Sequence, residues 1–197
     1  MSTRIELKPE SDPPVGAVLM KTGQTISYRT GDDGDIEAGR LTSFSVLEKN
    51  NPFGNTNRFT DELGGQTYTK NIVIDWSTYD GTKVLGWYRT PNAVNVVWNT
   101  AVDGALTVSI TGFTTGWRLP NIMEFCSIMN WGLTSHLNYA PFNFGGLAFQ
   151  TSTTWGFTTT NNITIGSTGF PGISTKTNAS GRYVGVRDFI VTGTILT

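Results

Sequence analysis

The apolar residues of this 197-residue chain keep helical spacing in only two stretches, and both lie between residues 94 and 131. Val94, Val97, Trp98, Ala101 and Ala105 recur at i, i+3, i+4, i+7 and i+11, which predicts a helix over about 94–108. Gly104 weakens it by up to about 1 kcal/mol. Asn121-Ile122-Met123-Glu124 has capping-box spacing, with Asn in the place of the usual Ser or Thr. Ile122, Phe125, Cys126 and Met129 then form one stripe of a second helix over about 121–131, ended by Gly132. Elsewhere short apolar runs alternate with Gly, Asn and Asp turns, the pattern of strands. The best hairpin is NIVIDWSTYDGTKVLGWY, with Asp80-Gly81 in the turn and Val73, Trp76, Val84 and Trp87 at bulky strand positions. A strand pair is expected across VGAVLMKTGQTISY, and further strands in FQTSTTWGFTTT, NITIG and RYVGVRDFIV. The expected class is α+β, two helices packed on antiparallel strands with long irregular loops.

The expected organisation is an extended arm over residues 1–14, where Pro9, Pro13 and Pro14 oppose helix and central strand, followed by one domain over 15–197. That domain is β-rich from 15 to 90, helical in its middle, and built of strands and loops from 133 to 197. The last part is rich in Thr, Asn, Ser and Gly, but Phe149, Trp155, Phe157, Phe170 and Tyr183 bring enough apolar surface for it to fold.

Composition removes several functions. With 14 Lys+Arg against 15 Asp+Glu there is no single-sign field to attract nucleic acid, and no apolar stretch is long enough to insert in a membrane. One cysteine, Cys126, and one histidine, His136, exclude an intramolecular disulfide and a zinc site of the usual Cys/His composition. Cys126 lies in the apolar run IMEFCSIM and reads as a small buried hydrophobe. No nucleophile elbow, phosphate-binding loop, His-Glu-x-x-His or dinucleotide fingerprint occurs. Asp61-Glu62 are adjacent carboxylates, not the separated pair that glycoside hydrolysis needs. Asp32, Asp33, Asp35 and Glu37 cluster oxygens that could hold a calcium ion, yet their spacing is not that of an EF-hand and Asp-Gly pairs are also turn signals. Both readings stand, and no other cofactor is expected.

Trp117-Arg118-Leu119-Pro120-Asn121 leads into the IMEFCSIM helix, and a helix containing Trp98 and Ala101 precedes it in WNTAVDGALTVSITGFTTGWRLPNIMEF. With LMKTGQTISY, NRFTDELGGQTYTKNIVIDWSTYDG, QTSTTWGF and KTNASGRYVGVRDF in order around it, this arrangement resembles a bacterial and phage domain family related to the C-terminal domain of Legionella-type collagen-like adhesins. The resemblance covers roughly residues 18–189 and implies a C-type-lectin-like fold. Within it Trp98, Trp117, Arg118, Leu119, Pro120 and Glu124 form a structural motif. Trp117 and Leu119 can plug the core, and Arg118 can satisfy exposed carbonyls or a nearby carboxylate. The tripeptides of calcium-dependent sugar-binding lectins are absent, and formylglycine-generating enzymes, which share the broader fold, use paired cysteines that this chain lacks.

The expectation is therefore a non-catalytic structural or receptor-binding protein of a phage particle, such as a fibre tip, appendage or decoration protein. MSTRIELKPESDPPVG has no apolar export segment, so leaving the cell inside an assembled virion is the expected route. Partners would be other virion proteins, a host-surface receptor or a glycan, and a homo-oligomer such as a trimer would suit an appendage. The alternatives are a bacterial surface adhesin that binds glycans and an enzyme on a formylglycine-generating scaffold. The expected binding surface is the polar-aromatic stretch from Asn138 to Asn178, with Tyr139, Phe144, Trp155, Phe157 and Asn161 as ligand-binding candidates. Against this stands the reading that most of its aromatics are core.

Overall fold

The computed structural model describes residue 30 and residues 44–47, 49–156 and 160–197. The expected N-terminal arm, the strand pair across VGAVLMKTGQTISY, the acidic loop with Asp32, Asp33, Asp35 and Glu37, and Phe157 lie outside the described residues.

Among the described residues two antiparallel sheets and two helices make an α+β fold. In chain order the elements are β1 (Phe59–Thr60), β2 (Ile72–Asp75), β3 (Lys83–Tyr88), α1 (Trp98–Leu106), α2 (Ile122–Ser127), β4 (Phe149–Thr154), β5 (Asn161–Ile165), β6 (Pro171–Thr175), β7 (Gly185–Thr192) and β8 (Ile195–Leu196). The larger sheet has the order β1-β2-β3-β7-β8 and the smaller one β4-β5-β6.

The expected hairpin is the centre of the larger sheet, with Ile72 opposite Tyr88 and Asp75 opposite Leu85. Its turn works as the Asp-Gly pair implies. Oδ1 of Asp80 accepts from the N–H groups of Lys83 and Thr82 at 2.7 and 2.8 Å, which holds its carboxyl below the ordinary value, and Gly81 takes φ 100°. Trp76 departs from expectation. It opens a 3-10 turn, Trp76–Thr78, capped by Asp75, and its indole donates to Thr60 Oγ1 at 2.7 Å.

Both faces of the larger sheet are buried. Val73, Leu85, Trp87 and Val186 meet Phe125, Phe142, Phe149 and Ile165 on one side, so the two sheets and α2 share this core. Ile72, Ile74, Val84 and Phe189 pack with Phe113, Trp117 and Leu196 on the other. Gly86 explains how β3 fits on the second face: a Cβ there would lie 2.2 Å from Cε2 of the buried Phe189 ring. Gly86→Ala is expected to cost about 1–3 kcal/mol through overpacking, read as a lower urea midpoint with an unchanged slope. An unchanged midpoint would mean that the ring has room to move.

Both helices are shorter than their sequence periods. α1 begins at Trp98 because the preceding segment is held in extended pairing, with Asn92 N–H to the Tyr183 carbonyl at 3.1 Å and Val96 N–H to the Gly181 carbonyl at 2.8 Å. Val94, expected on the buried stripe, is exposed, while Ala101 and Ala105 pack on Leu119. Gly104 makes room for the Tyr183 ring, 2.4 Å from where its Cβ would stand. α2 has both halves of the expected capping box but stops at Ser127, five residues before Gly132. Arg58 takes the Ser127 carbonyl at 2.6 Å and the Tyr139 hydroxyl takes that of Ile128 at 2.5 Å, so side chains from elsewhere in the fold replace a further helical turn.

The strand expected in FQTSTTWGFTTT ends at Thr154. β6 and β8 were not expected. β6 opens on Pro171 and Gly172, residues that ordinarily mark a loop, and Pro171 is tolerated because it stands first in an outer strand.

Candidate functional site

The WRLP junction is a scaffold of interlocked bonds. Trp117 is buried between Tyr88 and Phe189 and donates its indole N–H to the Phe113 carbonyl at 2.7 Å. Arg118 exchanges both backbone bonds with Val186 at 2.9 Å, which ties the junction to β7. Its guanidinium grips Glu124 with two bonds, of 2.9 and 2.5 Å, and this pairing raises the Arg118 pKa. Glu124 Oε2 also accepts from the Asn121 N–H at 2.7 Å, while Asn121 Oδ1 caps the Glu124 N–H at 2.9 Å. Pro120 stands just before the cap, and its carbonyl accepts from Ser152 at 2.9 Å. Trp98, the last member of the motif, donates to the Thr151 carbonyl at 2.8 Å with Lys176 Nζ 4.2 Å above its ring.

A second network joins β1, β2 and the end of α2. Arg58 and Asp75 are buried and form two bonds of 2.9 Å, and the Arg58 guanidinium lies between the rings of Phe44 and Phe59 at 4.4 and 4.5 Å. Neither residue stood out in the sequence, because their meeting depends on β1 pairing with β2.

The adjacent carboxylates separate in role. Asp61 accepts from the N–H groups of Leu63, Gly65, Thr67 and Tyr68 at 2.8–3.3 Å and so folds its own loop. Glu62 pairs with Lys70 at 3.3 Å. Burial, and then the Asp61 charge, push the Tyr68 phenol up to about 12. Burial also raises the Cys126 thiol, which is half-buried beside the core. Among the described residues no three His, Cys, Asp or Glu side chains gather to hold a metal, and no described helix is long and apolar enough to cross a membrane.

The proposed ligand-binding aromatics divide. Phe144 is in the core with Phe142 and Phe149, as the competing core reading has it. Tyr139 packs on Phe44, Phe59 and Phe142, with its phenol raised well above the ordinary value by burial. Trp155 is exposed at the end of β4, and its N–H meets the carbonyl of half-buried Asn161 at 3.2 Å.

Exposed aromatics also gather on the irregular segment after α2 and the turn before β6, the latter within the expected Asn138–Asn178 stretch. Trp131, 37 % exposed, and Phe170, 56 % exposed, enclose His136, with ring centroids 4.7 and 4.9 Å from the imidazole and 6.0 Å from each other. His136 itself is 6 % exposed, and among the described residues neither ring nitrogen has a hydrogen-bond partner. The His136 N–H to Thr168 carbonyl bond, 3.2 Å, joins the two loops, the Asn130 N–H to His136 carbonyl bond, 2.9 Å, closes the first loop on itself, and Gly169 packs on the imidazole. Exposed Leu133 lies on the same loop. The sequence signal was available in WGLTSH, where a large aromatic and the one histidine interrupt a small-residue segment without periodicity.

The chain matches no protein-family model, and no curated protein is a detectable relative.

Proposed function

We propose that this chain is a non-catalytic receptor-binding or structural component of a phage particle, a C-type-lectin-like domain that presents the Trp131–His136–Phe170 patch to a partner. The observation that carries the reading is that patch: two exposed rings over a buried imidazole whose nitrogens have no hydrogen-bond partner among the described residues. Aromatic faces stack on sugar rings and on apolar protein surface. An imidazole supplies one donor and one acceptor, so a hydroxyl-bearing ligand that turns either ring aside would complete bonds that the described residues leave unmade. The ordered segments around WRLPN support the lectin-like fold, and the scaffold chemistry at Arg118, Asn121 and Glu124 fits a domain whose motif serves architecture.

The purified chain is expected to bind host-surface glycans or host cells, and the double variant Trp131→Ala/Phe170→Ala to bind at least about 10-fold more weakly with an unchanged far-UV circular dichroism spectrum. The same chain should be found in purified particles. Absence from particles together with silence across glycans and host cells would remove this reading. Binding without particle association would favour the surface adhesin.

A further inference from the structure

The outer edge of β6 carries a backbone pattern that is complementary to itself. Gly166 donates to the Phe170 carbonyl at 2.8 Å and Lys176 to the Thr160 carbonyl at 2.7 Å, so the even-numbered residues of this strand aim their backbone groups at β5. Pro171, Ile173 and Thr175 therefore aim theirs away from the sheet. Among the described residues no strand pairs with that edge. Among the described residues the Pro171 carbonyl, the N–H and carbonyl of Ile173, and the Thr175 N–H have no backbone partner there. The Thr175 carbonyl already accepts from Asn178 at 3.0 Å.

We propose that two copies of this chain associate through antiparallel pairing of β6 with the partner's β6, about a two-fold axis at Ile173. In that register Ile173 exchanges both bonds with the partner's Ile173, and each Thr175 N–H meets the carbonyl of the partner's Pro171. The complementarity is one of partial charge, donor against acceptor at all four contacts. Pro171 has no N–H to give, and the group opposite it is the partner's Thr175 carbonyl, the one outward acceptor that is already occupied. A foreign strand would leave an unmet carbonyl opposite Pro171, whereas a second copy leaves none. The strand carries no charged residue to block the approach, and Ile173, 55 % exposed, would stand against its equivalent across the axis. The two small sheets would become one of six strands. This association is independent of what the aromatic patch binds.

Sedimentation equilibrium on the full chain tests it. A monomer–dimer equilibrium is expected, with a dissociation constant on the order of 10 μM for so small an interface. Ile173→Lys places like charges across the axis and is expected to weaken it at least about 100-fold, leaving a folded monomer. In the unmodified protein, amide exchange at Ile173 and Thr175 should slow as concentration rises. A monomer at every concentration, a trimer, an Ile173→Lys dimer of unchanged affinity, or concentration-independent exchange at both amides would each overturn the proposal.

Discussion

Asp75→Ala is expected to cost about 3–5 kcal/mol, more than most single changes to this fold, because it leaves the Arg58 guanidinium buried without its counter-charge. Asp75 accepts from Arg58 Nε and Nη2 and from the Ser77 N–H and hydroxyl, so the 3-10 turn loses its cap as well. Arg58 cannot swing into water without releasing the Ser127 carbonyl at the end of α2 and leaving the slot between Phe44 and Phe59. The damage should therefore reach α2, visible as lost helical circular dichroism before the main urea transition. Arg58→Met/Asp75→Leu should recover part of the loss, since an apolar pair needs no counter-charge. It should not recover all of it, because the Ser127 carbonyl would still lack its donor. A single Asp75→Ala cost below about 1 kcal/mol would show that the guanidinium finds solvent and that the pair is not a keystone.

Trp117→Ala is expected to cost a similar 3–5 kcal/mol, equivalent to roughly 10–15 °C in Tm for a chain of this size. The indole fills the second face of the larger sheet against Tyr88 and Phe189, with Gly185 close beneath it, and its N–H is the donor for the Phe113 carbonyl. Trp117→Phe separates the two contributions. It keeps most of the volume and removes the donor, so about 1–2 kcal/mol should remain. Calorimetry on the pair of variants checks both values, and equal losses for Phe and Ala would assign the whole effect to the hydrogen bond.

What could be read from the sequence was what local spacing determines. The α2 cap was legible because Asn121 and Glu124 stand three residues apart and answer each other. The Asp80-Gly81 turn was legible for the same reason. Helix ends were not, since α1 starts late and α2 stops early through bonds to Gly181, Tyr183, Arg58 and Tyr139, partners distant in the chain. β6 was hidden by Pro171 and Gly172, whose loop-forming character tells against a strand until the direction of the outer edge is known. The aromatic patch was missed because Trp131 and Phe170 are far apart in sequence and meet only when His136 and Thr168 draw two loops together. Phe144 shows the converse: an aromatic in a polar segment is not for that reason at the surface.

The order β1-β2-β3-β7-β8 has a consequence for how the molecule comes into being. β3 sits beside β7, with Lys83 opposite Ile190, about a hundred residues later in the chain. During synthesis the β2–β3 hairpin leaves the ribosome with one long side unpaired, and it waits there until about a hundred further residues have followed. Closing so large a loop places the central seam late and makes the folding slow. β7 thus acts as a completion signal for the sheet, because a nascent chain cut short before Gly185 cannot seal it.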